Sequence, residues 1–150
     1  MHKNVIGKDL TKEAPRSPRI RIGGYVILAR TIDKCRALVA GEIGEYHFDC
    51  PLDNTLFGFK GVTGSDFKAQ IENGASDQQI AEWLDLSGQR KTPEEVKRWS
   101  DETETTNPYN DPEKREWFVE QVKPLGLDPG KTTLFDWLEA DDKASYPTAG

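Results

Sequence analysis

The chain has 150 residues and a mass of 16.9 kDa, enough for one domain and too short for two of ordinary size. At 35% hydrophobic and 31% charged residues, with a mean hydropathy of -0.71, it reads as a small water-soluble globule, and no run approaches the ~18 apolar residues of a membrane helix. Fourteen aromatic residues, four of them Trp, exclude a wholly disordered chain and a collagen-like one.

Charge is divided unevenly. Residues 1–36 hold nine Lys or Arg against three acids, a net of +6, whereas residues 76–150 hold nine bases against seventeen acids, a net of -8. A pI near 5.0 argues against a broad nucleic-acid interface, which needs clustered cations to neutralise phosphates. A local anion site near the basic segment is one expectation. Docking of that segment onto the protein's own acidic half is the other, equally weighted. The only cysteines, Cys35 and Cys50, form no C-x-x-C pair, and the first residues lead into no apolar signal-peptide run, so a cytoplasmic protein is expected.

In chain order, residues 1–18 contain Gly7, Pro15 and Pro18 and few apolar side chains, which predicts an extended basic arm. The rest, residues 19–150, is predicted to be one helical domain. From Ile22 to Ala40 the residues Tyr25, Leu28, Ala29, Ile32, Cys35 and Val39 recur at helical spacing until Gly41 stops them. Glu45 to Asp49 reads as a brief strand or an extended loop. A helix with Leu52, Leu56 and Phe59 on one face ends at Gly61. Ser65 is the expected cap of a helix carrying Phe67 and Ile71, and Ser76 with Gln79 makes a capping box ahead of Ile80, Trp83 and Leu84. Thr92-Pro93-Glu94-Glu95 starts another helix, with Val96 and Trp99 inward. Residues 101–110 lack periodicity and read as a flexible acidic linker. Asp111-Pro112 precedes a helix with Trp117, Phe118 and Val122 inward, and Thr132 or Thr133 caps a last one with Trp137 and Leu138. The expectation is an all-α domain of about six or seven short helices, with the four tryptophans as core anchors.

Three groups of residues bear on chemistry. The first is Arg16 to Gly24, where Arg19 and Arg21 run into Gly23-Gly24 and a helix start, an arrangement suited to a phosphate or carboxylate but lacking the full phosphate-loop spacing. The second is the polar side of the first long helix, Arg30, Asp33, Lys34 and Arg36. Arg30 and Lys34 lie four apart and repel, so an acid elsewhere or a bound anion must offset them, and a solvated face is the plainer expectation. The third is Glu45 to Asp53, where His47 is the natural general base, with Asp49 or Asp33 as its carboxylate and Tyr46 as a polar wall. His47, Asp49, Cys50 and Asp53 match no established zinc spacing, so neither a metal nor a cofactor is expected. No nucleophile motif is present.

The stretches Asp9 to Lys12, Pro15 to Arg19, Gly23-Gly24-Tyr25 to Ala37, Gly44 to Asp53, and Thr133 to Asp142 resemble the bacterial family catalogued as domain of unknown function 5069. The resemblance spans nearly the whole chain and implies a one-domain bacterial cytoplasmic protein, with no activity or catalytic residue to carry over. Cys35 departs from the small residue expected there in relatives, which weighs against a catalytic thiol at that position. Together these readings make the expected function binding of a small anionic molecule by Arg19, Arg21, Arg30, Lys34 and Tyr46, any transformation of it being acid-base chemistry by His47, with enzyme status left open. The alternative is a non-catalytic interaction or regulatory domain that docks a basic protein partner through its acidic half.

Overall fold

A computed structural model describes residues 5–146, and its central element is the helix α1 (Leu28–Ala40). Buried along α1 are the apolar Leu28, Ala29, Ile32, Cys35 and Ala37, and also Arg30, Thr31, Asp33 and Lys34. A helix enclosed on its polar side as well must have its charges paired from within, which decides how the remaining elements are arranged.

Around it lie α2 (Pro51–Lys60), α3 (Gly64–Glu72), α4 (Asp77–Leu86), α5 (Pro93–Glu104), α6 (Arg115–Val122) and α7 (Leu134–Ser145), with single 3-10 turns at Pro108–Asn110 and Lys123–Leu125. The described residues contain seven helices and no strand, so the all-α expectation holds. Residues 45–49 take the loop alternative. Capping boxes at Ser76/Gln79, Thr92/Glu95 and Thr133/Asp136 start α4, α5 and α7, each satisfying backbone donors that have no partner inside the helix.

Several boundaries differ from the sequence reading. α1 begins at Leu28 rather than near Ile22, because Gly23, Gly24 and Ile27 all have positive φ and Ile22 bridges Tyr25 across that turn. Left-handed backbone at a β-branched residue is costly, and Ile27 is held there by full burial and by its N–H, which donates to the Pro18 carbonyl at 2.7 Å. Thr63, not Ser65, caps α3. The segment expected as a linker is instead helical through Glu104. It continues past Thr106, whose carbonyl accepts from Leu134 N–H at 2.9 Å, and Asn107 then caps a 3-10 turn. Acidic side chains without apolar periodicity hid this helix end, since its order comes from partners distant in sequence.

The core gathers Tyr25, Leu28, Ile32, Leu56, Phe57, Phe67, Ile71, Ile80, Leu84 and Phe135. Each large side chain buried this way contributes ~1.5–3 kcal/mol. The tryptophans are not its anchors. Trp83 and Trp99 sit at its margin, Trp99 stacked on Phe59, while Trp117 is 43% exposed and meets Phe118 and Trp137 in a separate aromatic group. Indole is too large to be enclosed fully in so small a core. The described part of the N-terminal arm is non-helical, and residues 1–4 of that arm lie outside the described residues. Leu10 anchors it, fully buried, its N–H donating to Glu42 and its carbonyl accepting from the Tyr146 hydroxyl.

Candidate functional site

The basic N-terminal segment spends its charge on the protein's own acids. Arg16 and Arg36 meet Asp77 at the start of α4, Arg19 meets Asp136 and Glu139 on α7, Arg21 meets Asp101 and Glu104 on α5, and Arg30 meets Asp142. Asp33 does not pair with Arg30 or Arg36 as its spacing allowed. It accepts from the backbone N–H and the guanidinium of Arg16, both from outside the helix. Lys34 is paired as well, its Nζ 3.0 Å from Asp53, which is fully buried and also accepts from Thr31 and from the Asp49 N–H. The charged face of α1 is therefore internal, and the repulsion between Arg30 and Lys34 is offset by two carboxylates supplied by α7 and α2.

Above that pair of ion pairs lies a cleft of about 490 Å³ between α1, the 42–50 loop and the end of α7. Arg30, Lys34, Tyr46 and His47 converge on it, joined by Cys50 and Tyr146. The Tyr46 hydroxyl donates to Asp142 at 2.8 Å, and the Arg30 guanidinium lies 5.5 Å from the Tyr46 ring centre. Burial, then the bond to Asp142, hold the Tyr46 phenol protonated far above its ordinary range. Lys34 Nζ donates to Cys50 Sγ at 3.2 Å, and Cys50 is the N-cap of α2. Asp141 lines the cleft too, its carboxyl pushed up by burial and by the neighbouring Asp142, against the pull of Arg30.

A second concavity of about 650 Å³ adjoins the first and is mostly apolar, formed by Pro51, Pro108, Trp117, Leu134 and Trp137. Its wall shares His47, Cys50, Leu52 and Leu138 with the polar cleft. His47 and Cys50 thus stand where a polar chamber opens into an apolar groove.

Not every residue singled out in the sequence reaches this place. Arg19 and Arg21 are held by α7 and α5 and line neither chamber. Asp33 is buried against Arg16, and Asp49, at positive φ, accepts from Asn54 with its carboxylate against Gly64, so neither lines the cleft with His47. The cleft carboxylates are Glu45 and Asp141. Among the described residues no group of His, Cys, Asp and Glu converges as metal ligands. Asp141, Asp142 and Tyr146 were missed because nothing local marks them. They come from the far end of the chain, about a hundred residues from Tyr46, and only the return of α7 brings them in.

The family model described as Domain of unknown function (DUF5069) matches residues 12–144. The chain belongs to that family. No curated protein matches it. The DUF5069 span takes in Arg30, Lys34, Tyr46, His47, Cys50 and Asp141 of the cleft, while Thr11 and Tyr146 lie just beyond its ends.

Proposed function

We propose that the protein binds a small amphipathic molecule, its polar head in the Arg30–Lys34–Tyr46 cleft and its apolar body along Trp117, Trp137 and Leu134. The observation that carries this reading is the shared wall of the two chambers, through His47, Cys50, Leu52 and Leu138. Concave, largely apolar surface with a few convergent polar groups is the usual form of a ligand site. His47, which has no hydrogen-bond partner among the described residues, is the group we assign to proton exchange with the bound molecule, and Asp141 is the carboxylate beside the same cleft. The polar head need not be anionic. Arg30 and Lys34 already have Asp142 and Asp53, and the cleft also carries Glu45 and Asp141.

Docking of a basic protein partner has less to draw on, because six carboxylates of the acidic half are engaged by Arg16, Arg19, Arg21, Arg30 and Arg36. The test is titration of tryptophan emission with octylamine, octanol and octanoate. Saturable change with one or more of them, abolished by Leu52→Arg at the junction, is expected. Unchanged emission with all three at millimolar concentration, or a response that survives Leu52→Arg, overturns the reading.

A further inference from the structure

We propose that a separate cavity, between the Gly23-Gly24 turn and the start of α5, binds the phosphoryl group of a small phosphorylated molecule. This cavity measures about 510 Å³ and is lined by Arg21, Gly23, Gly24, Asp85, Arg90, Lys91, Pro93, Val96 and Lys97. It is distinct from the cleft, with which it shares no lining residue.

Its cations are not all held in ion pairs. Arg21 has Asp101 and Glu104, and Lys97 has Asp101, but Arg90 and Lys91 form no ion pair among the described residues, although the charge of Lys91 reaches Glu95. Lys91 lies 5.0 Å from the Phe59 ring centre instead. Behind them Lys60 is fully buried, its Nζ donating to the Gln89 carbonyl at 2.7 Å and to no other acceptor among the described residues. Burial is the main cause that lowers its pKa; Asp85, the next largest, opposes it, and the nearby Arg90 and Lys91 add to the lowering. Asp85 is the acid of the lining among the described residues; it accepts from the Tyr25 hydroxyl at 2.7 Å and keeps its negative charge. Arg90, Lys91 and the Lys60 behind them outnumber Asp85, and an anion in the cavity lowers the electrostatic cost of that excess.

The backbone contributes donors as well. Gly23 and Gly24 have φ of 60° and 88°, and among the described residues neither N–H has a hydrogen-bond partner. A Cβ on Gly23 would lie 2.8 Å from the Ala81 side chain, so that position admits only glycine and keeps the peptide groups of the turn at the cavity wall. The N-terminus of α5 is not the anchor, since Thr92 and Glu95 cap it reciprocally. Guanidinium, ammonium and peptide donors around one space suit a phosphate dianion better than a single-charge carboxylate. The cavity exceeds what one phosphate fills, and Pro93 with Val96 supplies apolar wall for a carbon skeleton.

The experiment follows the Gly23 and Gly24 amide signals of the 15N-labelled chain during additions of inorganic phosphate, phenyl phosphate and, at matched ionic strength, sodium chloride. Saturable shifts with both phosphates, absent with chloride and tighter for phenyl phosphate, are expected. Changing Arg90 and Lys91 together to Ala, at surface positions that bear no ion pair, should weaken binding about tenfold or more, the worth of one charge-assisted hydrogen bond. Shifts equal to those with chloride, or an affinity unchanged in the double variant, overturn the site. Phenyl phosphate binding no tighter than inorganic phosphate overturns the assignment to a phosphorylated organic molecule.

Discussion

Arg30 on α1 and Asp142 on α7 are joined by two hydrogen bonds, of 2.7 and 3.1 Å, with the arginine side chain only 4% exposed. Arg30 lines the cleft, and the pair is at the same time the tie that joins the last helix to the first. Removing one member leaves the other buried and uncompensated. Asp142→Ala should therefore cost ~3–5 kcal/mol, whereas Arg30→Met combined with Asp142→Leu should cost less than either single change. Urea denaturation of the four variants measures this, and a double variant less stable than either of its singles contradicts it.

The two thiols should separate cleanly. Cys35 is fully buried, and burial pushes its thiol up to about 12. Cys50 is partly exposed and lines both chambers. Iodoacetamide at neutral pH should label Cys50 alone in the folded chain and both cysteines in denaturant, as read by peptide mass. Octylamine, octanol or octanoate seated at the junction should slow labelling of Cys50.

Acid should loosen the arm. Asp77 and Asp136 are each partly buried, which alone would raise their carboxyls, but hydrogen bonds and charge from Arg16 and Arg36 at Asp77, and from Thr133 and Arg19 at Asp136, hold both below their ordinary value of 3.8. Such groups bind fewer protons folded than unfolded, so their stabilisation is complete above about that value and declines as pH falls through the lowered ones. Stability measured by urea should drop from about pH 4 downward, and Asp77→Asn should flatten the drop. A profile unchanged by that substitution would show the Asp77 pairs to be energetically idle.

Gly88→Ala should be the most damaging small substitution on the far side of the molecule. The residue has φ of 58°, and a Cβ there would run into the Lys60 carbonyl oxygen, which accepts from Gln89 N–H. Backbone cannot yield as a flexible side chain does, so the loss should exceed the ~1 kcal/mol of an ordinary unfavourable Gly→Ala change. Thermal denaturation against Gly58→Ala, a helical position with open space, supplies the comparison.

The sequence by itself determined the helices whose signals are local. Ser76, Thr92 and Thr133 start α4, α5 and α7 through hydrogen bonds made within three residues, and Leu28, Ile32 and Leu56 reach the core because spacing sets which face of a helix is apolar. It also brought Arg30, Lys34, Tyr46 and His47 into consideration together, and these four do share a cleft. Only the tertiary structure decided which acid each base would meet. A helical pattern permits Asp33 with Arg30 or Arg36, yet the arm delivers Arg16 to Asp33, α4 delivers Asp77 to Arg36, and α7 delivers Asp142 to Arg30. Charge pairing acts over a few ångströms in space and is indifferent to separation along the chain, so total charge foretells that the halves attract but not which partners they take. The same reason leaves Arg90 and Lys91 without an ion pair among the described residues, whereas Arg16, Arg19 and Arg21 of the basic segment have theirs.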